Sequence, residues 1–453
     1  MLALVLAALT FALPQDAPSP RPLNIVFILA DDLGWTDVGC MGSRYYETPH
    51  IDALAADGIR FLQHHHCQNC APTRGALMTG QSPARTGIYT VGSLARGAAA
   101  RRTMNVPENR TRLPDGVLTM ADQLTAAGYV TALFGKWHLG NGPLHHPRRH
   151  GFAEAIVSEG KHFGFATTPK VEVPEGAYLA DFLTDLAVDF LERQRDRPFF
   201  LYLPHFGVHS PYQAKPDLIA RFADKAGVGG HSDPTYAAMI ASVDDSVGRV
   251  LATLKRLGLH ERTVVVFASD NGGVGGYAGI GGKGVTDNAP LRGGKGMLYE
   301  GGVRVPMIVR WPGVTPRGST CAVPTQHVDV LPTLLGIAGA KLPDQPLDGE
   351  SLVPLLRDAG ATLVRDALYV HFPGYLEGYR TQQWRTAPVG TIQVGMLKLL
   401  EFFEDGRTEL YDLANDPSEA HDLAATRPED VKTLHARLTA WRKDLGVAMP
   451  VRK

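Results

Sequence analysis

The stretch Leu23-Asn24-Ile25-Val26-Phe27-Ile28-Leu29-Ala30, ended by Asp31-Asp32, constrains the fold more than any other feature of the chain. It is almost wholly apolar and does not alternate, as expected of a strand covered on both faces within a parallel sheet flanked by helices. The pattern returns. Amphipathic helices predicted over 119–127, 178–194 and 234–257 each precede an apolar strand, at 129–134, 198–203 and 263–268. Thr48-Pro49 opens a further helix that Gly58 closes, and 61–63 reads as a short extended piece. This alternation predicts an α/β class fold with a large, mostly parallel sheet sandwiched by helices.

From about Ser351 the pattern changes to short strand candidates, at 367–370, 393–402 and 408–412, and a final helix at 431–445. A smaller C-terminal α+β subdomain with a short antiparallel sheet is expected there. The expected division is a leader over 1–17, a main domain over 18–350 and the subdomain over 351–453. With 453 residues and a formal net charge of -1, the chain lacks the basic excess of a nucleic-acid binder. Met1 to Ala12 is apolar apart from Thr10 and too short to span a bilayer, so it reads as a signal-peptide core, although no Lys or Arg precedes it. The expectation is a secreted or periplasmic protein with no stable membrane insertion.

In open α/β sheets, ligands bind beyond the carboxyl ends of the strands. The polar clusters fall there: Asp31-Asp32, Lys136 with His138, His205 and His209, and Asp270-Asn271 each follow an apolar strand. Alone, each acidic pair would serve as a turn or helix cap. Adjacent carboxylates repel unless a cation or proton lies between them, however, and oxygen-only donors suit Ca²⁺ or Mg²⁺ better than zinc. Lys136 and His138 occupy alternate positions and face one way if the segment stays extended. The glycine-rich stretch 272–302 carries Lys295; it is not a P-loop, because Gly284 follows Lys283.

The segment Cys70-Ala71-Pro72-Thr73-Arg74 runs into a short apolar stretch ended by Gly80. Proline suits the first turn of a helix and glycine its stop, which puts Cys70 at a helix N-terminus with Arg74 one turn on, a setting for sulfate or phosphate. By residue type a lone cysteine is more often a small buried hydrophobe. Cys67 and Cys70 also form a C-x-x-C, but there is no second one, and Cys40 and Cys321 are isolated. His64 to His66 are expected at a loop and substrate rim, and Asn109-Arg110-Thr111 is a glycosylation sequon.

The Cys70 segment resembles the signature of the sulfatase family, in which the cysteine is oxidised to formylglycine. Thr73 stands where serine or alanine is commoner and Gln81 where arginine is frequent; the Cys, Pro and Arg are kept. Gly135-Lys136-Trp137-His138-Leu139-Gly140 resembles a family hexapeptide without mismatch, and the stretch from Arg292 to Gly302 resembles its Arg-Gly-Gly-Lys-Gly-x-x-x-Glu-Gly-Gly segment. Val208-His209-Ser210-Pro211 is similar to its His-x-Pro piece, which favours His209 over His205. Ser269-Asp270-Asn271-Gly272 resembles its Asp-Asn-Gly, at which related two-zinc phosphatases commonly carry histidine. Glu409-Leu410-Tyr411-Asp412-Leu413 with Asp416-Pro417-Ser418-Glu419 looks like the family's C-terminal signature, a structural element.

The resemblance implies an alkaline-phosphatase-like fold and a type I sulfatase that releases an alcohol and inorganic sulfate. It implies that Cys70 is converted to 3-oxoalanine (formylglycine), whose hydrate attacks sulfur. One Ca²⁺ would be held by Asp31, Asp32, Asp270, Asn271 and the modified Cys70, while Arg74, Lys136 and Lys295 neutralise the sulfuryl oxygens. His209 would serve the leaving oxygen, and His138 would take the proton that lets sulfate depart. The implied partners are a sulfated small molecule or saccharide and a formylglycine-generating or other sulfatase-maturating enzyme. Specificity is expected in loops at 89–112, 145–174 and 374–388. The alternatives are a formylglycine-dependent phosphodiester or phosphonate monoester hydrolase and a noncatalytic sulfoglycan-binding relative.

Overall fold

The computed structural model describes residues 22–378 and 383–453. The leader expected over 1–17 and part of the loop expected at 374–388 lie outside the described residues.

Eight strands form the main sheet: β1 (Asn24–Ala30), β2 (Ile59–Phe61), β3 (Val130–Gly135), β4 (Glu154–Val157), β5 (Phe199–Pro204), β6 (Thr263–Ser269), β7 (Met307–Arg310) and β8 (Ser319–Cys321). Their order is β8-β2-β7-β6-β1-β5-β3-β4. All neighbours run parallel except at β7, which is antiparallel to both β2 and β6. No strand was expected at β7 or β8. Both are short and follow glycine-rich or turn-rich sequence, so neither shows the long apolar run that announces β1 or β6.

β1 explains why the sheet is a sandwich. Val26, Ile28 and Ala30 enter one buried cluster with Leu183 and Phe190 of α4 (Leu179–Arg193) and Val247 of α5 (Pro234–Arg256). Ile25, Phe27 and Leu29 enter another, with Leu77 of α2 (Cys70–Thr79), Leu124 of α3 (Met120–Ala126) and Leu335 of α6 (Val330–Ala338). Alternate residues of one strand thus feed two cores, which is why the sequence could not alternate. The helix α1 (Pro49–Ala56) buries Ile51 and Leu54 in the first core.

The C-terminal part forms an antiparallel sheet of β9 (Ala367–Phe372), β10 (Val389–Val394), β11 (Leu397–Phe402) and β12 (Thr408–Asp412), in that order. The single strand expected at 393–402 is two: Gly395, at φ 57, makes the left-handed turn of a hairpin. Leu434 and Leu438 of α7 (Pro428–Leu445) pack on Ile392, Leu399 and Leu410. The other face meets the main domain through Leu298 and Val303, which join Phe372, Val389 and Leu400.

One smaller expectation changes. His64, His65 and His66 are not a rim; they are 0%, 6% and 1% exposed and engaged with Thr325, Glu300 and each other. Asn109 is a loop clamp: its Oδ1 accepts from the backbone N–H groups of Tyr89 and Thr90, and its Nδ2 donates to the carbonyls of Thr90 and Gly92. All four cysteines are free.

Candidate active site

Four adjacent strands, β6-β1-β5-β3, deliver the site at their carboxyl ends. Ala30 pairs with Ser269, so Asp31-Asp32 and Asp270-Asn271 emerge side by side. The loop after β5 folds back on β1, with the Asp31 N–H donating to the Gly207 carbonyl (2.9 Å) and the Val208 N–H to the Asp31 carbonyl (2.7 Å), and this brings His209 over. At the end of β3 the Lys136 N–H donates to the Pro204 carbonyl at 2.8 Å. The approach is possible because Gly135 has φ 133 and a Cβ there would lie 2.0 Å from that carbonyl oxygen.

The helix α2 begins at Cys70. The Cys70 Sγ lies 3.5 Å from Asp31 Oδ1. Arg74, one turn on and 1% exposed, is held by both acidic pairs: Nε and Nη2 reach Asp270 Oδ2 at 3.1 and 2.7 Å, and Nη2 reaches Asp31 Oδ2 at 3.3 Å. Lys136 Nζ lies 2.5 Å from Asp31 Oδ2, and Lys295 Nζ 2.6 Å from Asp32 Oδ1. Lys295 arrives on the glycine-rich loop, where its N–H donates to the Gly273 carbonyl (3.0 Å). The Tyr277 hydroxyl (2.8 Å) and Arg385 Nη1 (3.0 Å) donate to the Lys295 carbonyl.

This packing sets the charges. Burial alone would raise the Asp31 carboxyl, but Lys136, then His209, Arg74 and Lys295, hold it well below the usual carboxylate range. Asp270 is pushed up to about 6 by burial and by Asp31, against Arg74. Burial and the Asp31 charge push the Cys70 thiol up, so an unmodified thiol there is protonated. Burial, then Lys136 and Arg74, press His138 down to about 2, which leaves a neutral imidazole. Its Nδ1 is buried without a hydrogen-bond partner. Asp32 and His138 both sit in the left-handed region, at φ 63 and 59, a strain of roughly 1–3 kcal/mol each that clusters at sites of function.

The sequence-predicted residues therefore converge, with one exception. His209 Nε2 lies 3.7 Å from Asp32 Oδ2, and its Nδ1 lies 2.6 Å from the Ser210 carbonyl. His205 points elsewhere: it is 0% exposed, its Nε2 lies 2.9 Å from the Ser246 hydroxyl, and burial lowers it to about 4. One neighbour had no sequence signal. His162, 1% exposed, places Nε2 2.8 Å from the His209 carbonyl and packs against Phe206. It comes from the long loop after β4, where nothing in the pattern distinguishes it from a surface histidine.

The donor set suits a hard cation. Ligand atoms of Asp31, Asp32, Cys70 and His209 all lie within 4.8 Å of one another. Asn271 donates through Nδ2 to Asp32 Oδ1 at 2.8 Å, while its Oδ1 is buried with no hydrogen-bond partner. A buried carbonyl oxygen without a donor, next to carboxylates, is what an oxygen-seeking divalent ion would satisfy.

A fold of this topology with an acidic, lysine-lined site at the head of a cysteine-initiated helix defines an alkaline-phosphatase-like hydrolase. The family described as Sulfatase matches residues 23–340, and the one described as N-sulphoglucosamine sulphohydrolase, C-terminal, matches 294–444. The chain belongs to the sulfatase family and is a sulfuric ester hydrolase. It is 35% identical to a sulfatase of Formosa agariphila over 92% of this chain and 88% of that protein. It is also 35% identical to the N-acetylgalactosamine-6-sulfatase of Mus musculus, over 78% of this chain and 69% of that one. The crystal structure of Ps i-CgsB in complex with k-i-k-neocarrahexaose superposes with a TM-score of 0.78 at 29% identity, covering 93% of each chain.

Proposed function

We propose that this sulfatase hydrolyses a sulfate ester of a carbohydrate, with Cys70 as formylglycine and one Ca²⁺ held by Asp31, Asp32, Asp270, Asn271 and the modified side chain. The observation that carries this reading is the position of Cys70, 3.5 Å from Asp31, on whose carboxylate Arg74 and Lys136 also converge. When present, the calcium ion supplies a Lewis-acidic positive charge, and the formylglycine supplies a hydrated aldehyde with one hydroxyl to attack and a second to lose its proton.

The chain's own residues do the rest. Asp31, Asp32 and Asp270 oppose the three cations Arg74, Lys136 and Lys295, so the protein charges balance and a divalent ion would leave the centre positive toward an anionic ester. Lys136 on Asp31 and Lys295 on Asp32 are the cations that would turn to the sulfuryl oxygens, while Arg74, held by both acidic pairs, adds its charge from where it lies. A carbonyl only accepts, so the Nδ1 of His209 carries its hydrogen toward Ser210, and Nε2 delivers a proton to the leaving oxygen from the imidazolium form, in which both ring nitrogens are protonated. Burial lowers His209, with Asp32 opposing the shift, so the imidazolium is a stronger acid than a free one and must take up a proton before each turnover. Neutral His138 accepts the proton whose removal lets sulfate depart.

A carbohydrate substrate is supported by the N-acetylgalactosamine-6-sulfatases among the relatives and by the oligosaccharide in the Ps i-CgsB complex, while the steryl-sulfatases among the relatives favour a different alcohol. Cys70 is 1% exposed, so its maturating enzyme must reach it before the chain closes. We also read 1–17 as an export leader and the junction near residue 350 as the limit of the catalytic domain. The test is turnover of 4-nitrophenyl sulfate against 4-nitrophenyl phosphate by protein co-produced with a formylglycine-generating enzyme. The sulfate is expected to be the better substrate, and a preference for phosphate would contradict the reading.

A further inference from the structure

The left-handed backbone of Asp32 is gripped on both sides. Its N–H donates to Asp270 Oδ1 at 3.2 Å, and its carbonyl lies 3.1 Å from the Tyr236 hydroxyl, which reaches in from the first turn of α5. The phenol is itself held. Asp37 Oδ2 lies 2.7 Å from it and accepts from the Gly34 N–H at 2.8 Å, while Asp37 Oδ1 accepts from the Thr286 hydroxyl at 2.7 Å. Tyr236 and Asp37 are both 0% exposed. One buried carboxyl thus joins α5, the loop after β1 and the glycine-rich loop that carries Lys295, whose Nζ meets Asp32 Oδ2 at 2.7 Å.

A phenol has one hydrogen, and here two acceptors face it. The chain closes when Asp37 keeps its own proton: the carboxyl donates to Tyr236, and Tyr236 donates to the Asp32 carbonyl. Burial raises the Asp37 carboxyl, with His231 opposing. That opposition is distant, since His231 Nε2 stands 3.6 Å from Asp37 and lies 2.8 Å from the Asp287 carbonyl.

A non-glycine residue stays in the left-handed region only where its surroundings over-determine it. Without the Tyr236 hydroxyl, the Asp32 carbonyl is buried with no donor and φ is free to relax. The carboxylate on the same Cα turns with it.

We propose that Tyr236, oriented by Asp37, is a positioning residue for the metal centre, fixing the Asp32 backbone in the conformation that sets where its carboxylate stands. The proposal rests on the calcium reading above. Neither residue touches the ester or supplies a ligand.

The experiment titrates Ca²⁺ by calorimetry into formylglycine-bearing enzyme stripped of metal with a chelator, for wild type, Tyr236→Phe, Asp37→Ala, their double variant and Val247→Ala. Tyr236→Phe should weaken calcium binding roughly 10- to 100-fold, as for loss of a group that orients a metal ligand. Asp37→Ala should weaken it too, and the double variant should lose no more than the larger single effect, because both act through one chain. Val247→Ala opens a cavity further along the same helix, so it should destabilise the calcium-free protein toward denaturant and keep wild-type affinity. Unchanged affinity in Tyr236→Phe, additive losses in the double variant, or an equal loss in Val247→Ala would each overturn the positioning role. A wild-type enzyme that takes up no Ca²⁺ would overturn the calcium reading itself, and this inference with it.

Discussion

Arg74 Nη2 lies 2.7 Å from Asp270 Oδ2, with both side chains at most 1% exposed. The contact ties the first turn of the Cys70 helix to the end of β6, and it makes Arg74 as much a strut as an anion ligand. Arg74→Met would leave Asp270 and Asp31 without that counterion in a buried setting. Removal of one partner of a buried pair costs about 3–5 kcal/mol. Denaturant unfolding should show a loss of that order together with loss of turnover; a fully stable variant would mean that the contact holds nothing.

The catalytic histidines should separate by step. His138→Ala is expected to keep a rapid first release of phenol from 4-nitrophenyl sulfate and to lose steady-state turnover, since its neutral imidazole is assigned to the later proton transfer. His209→Ala should slow the first release itself, and most for poor leaving groups. Stopped-flow traces with leaving groups of graded acidity check both. Identical traces from the two variants would remove the assignment.

Acid should destabilise the fold through its buried histidines. Burial depresses His205, His327 and His371 to about 4 from the ordinary value of 6.5. A depressed histidine contributes stability above its unfolded pKa and loses it as pH falls through the folded one, so the loss should run from about 6.5 to about 4. Each such shift is worth roughly 3 kcal/mol at most. Unfolding free energies across that window should fall steeply, and less steeply in His205→Gln; a flat profile would contradict the burial argument.

The C-terminal subdomain should hold the Lys295 loop. Lys398 Nζ, on β11, lies 2.8 Å from Glu300 and 2.9 Å from Glu419, and the Glu300 N–H donates to Glu419 Oε2 at 2.7 Å. Lys398→Met strands the buried Glu419 and takes one cation from Glu300, which keeps His65 and Arg304, with an expected cost of about 3–5 kcal/mol. The paired change Lys398→Met with Glu419→Gln should recover part of it. Thermal unfolding of the single and double variants decides this, and a single variant as stable as the parent would contradict it.

Much of this was legible because the chemistry sits where strong patterns end. Asp31-Asp32, Lys136 and Asp270-Asn271 each follow an apolar run long enough to be read as a buried strand, and the parallel order of those strands brings them together. The edge was less legible. Met307–Arg310 and Ser319–Cys321 are too short to announce themselves, and the turn at Gly395 was hidden inside a continuous β-forming stretch. His162 lies on a loop whose composition is ordinary, so only tertiary contact shows that it faces the His209 carbonyl. The burial of His64 to His66 was missed for the opposite reason. A polar tract reads as surface until Glu300, Thr325 and its own members supply its partners.

The central claim is that the working group at position 70 is an aldehyde hydrate and no longer a thiol. Mass spectrometry of the peptide spanning Cys70, taken from natively produced protein with measured sulfatase activity, tests it directly. The account predicts a side chain with oxygen in place of sulfur and two hydrogens fewer, in proportion to activity across preparations, and no turnover in Cys70→Ala. Full activity in protein whose Cys70 is an intact thiol would contradict it.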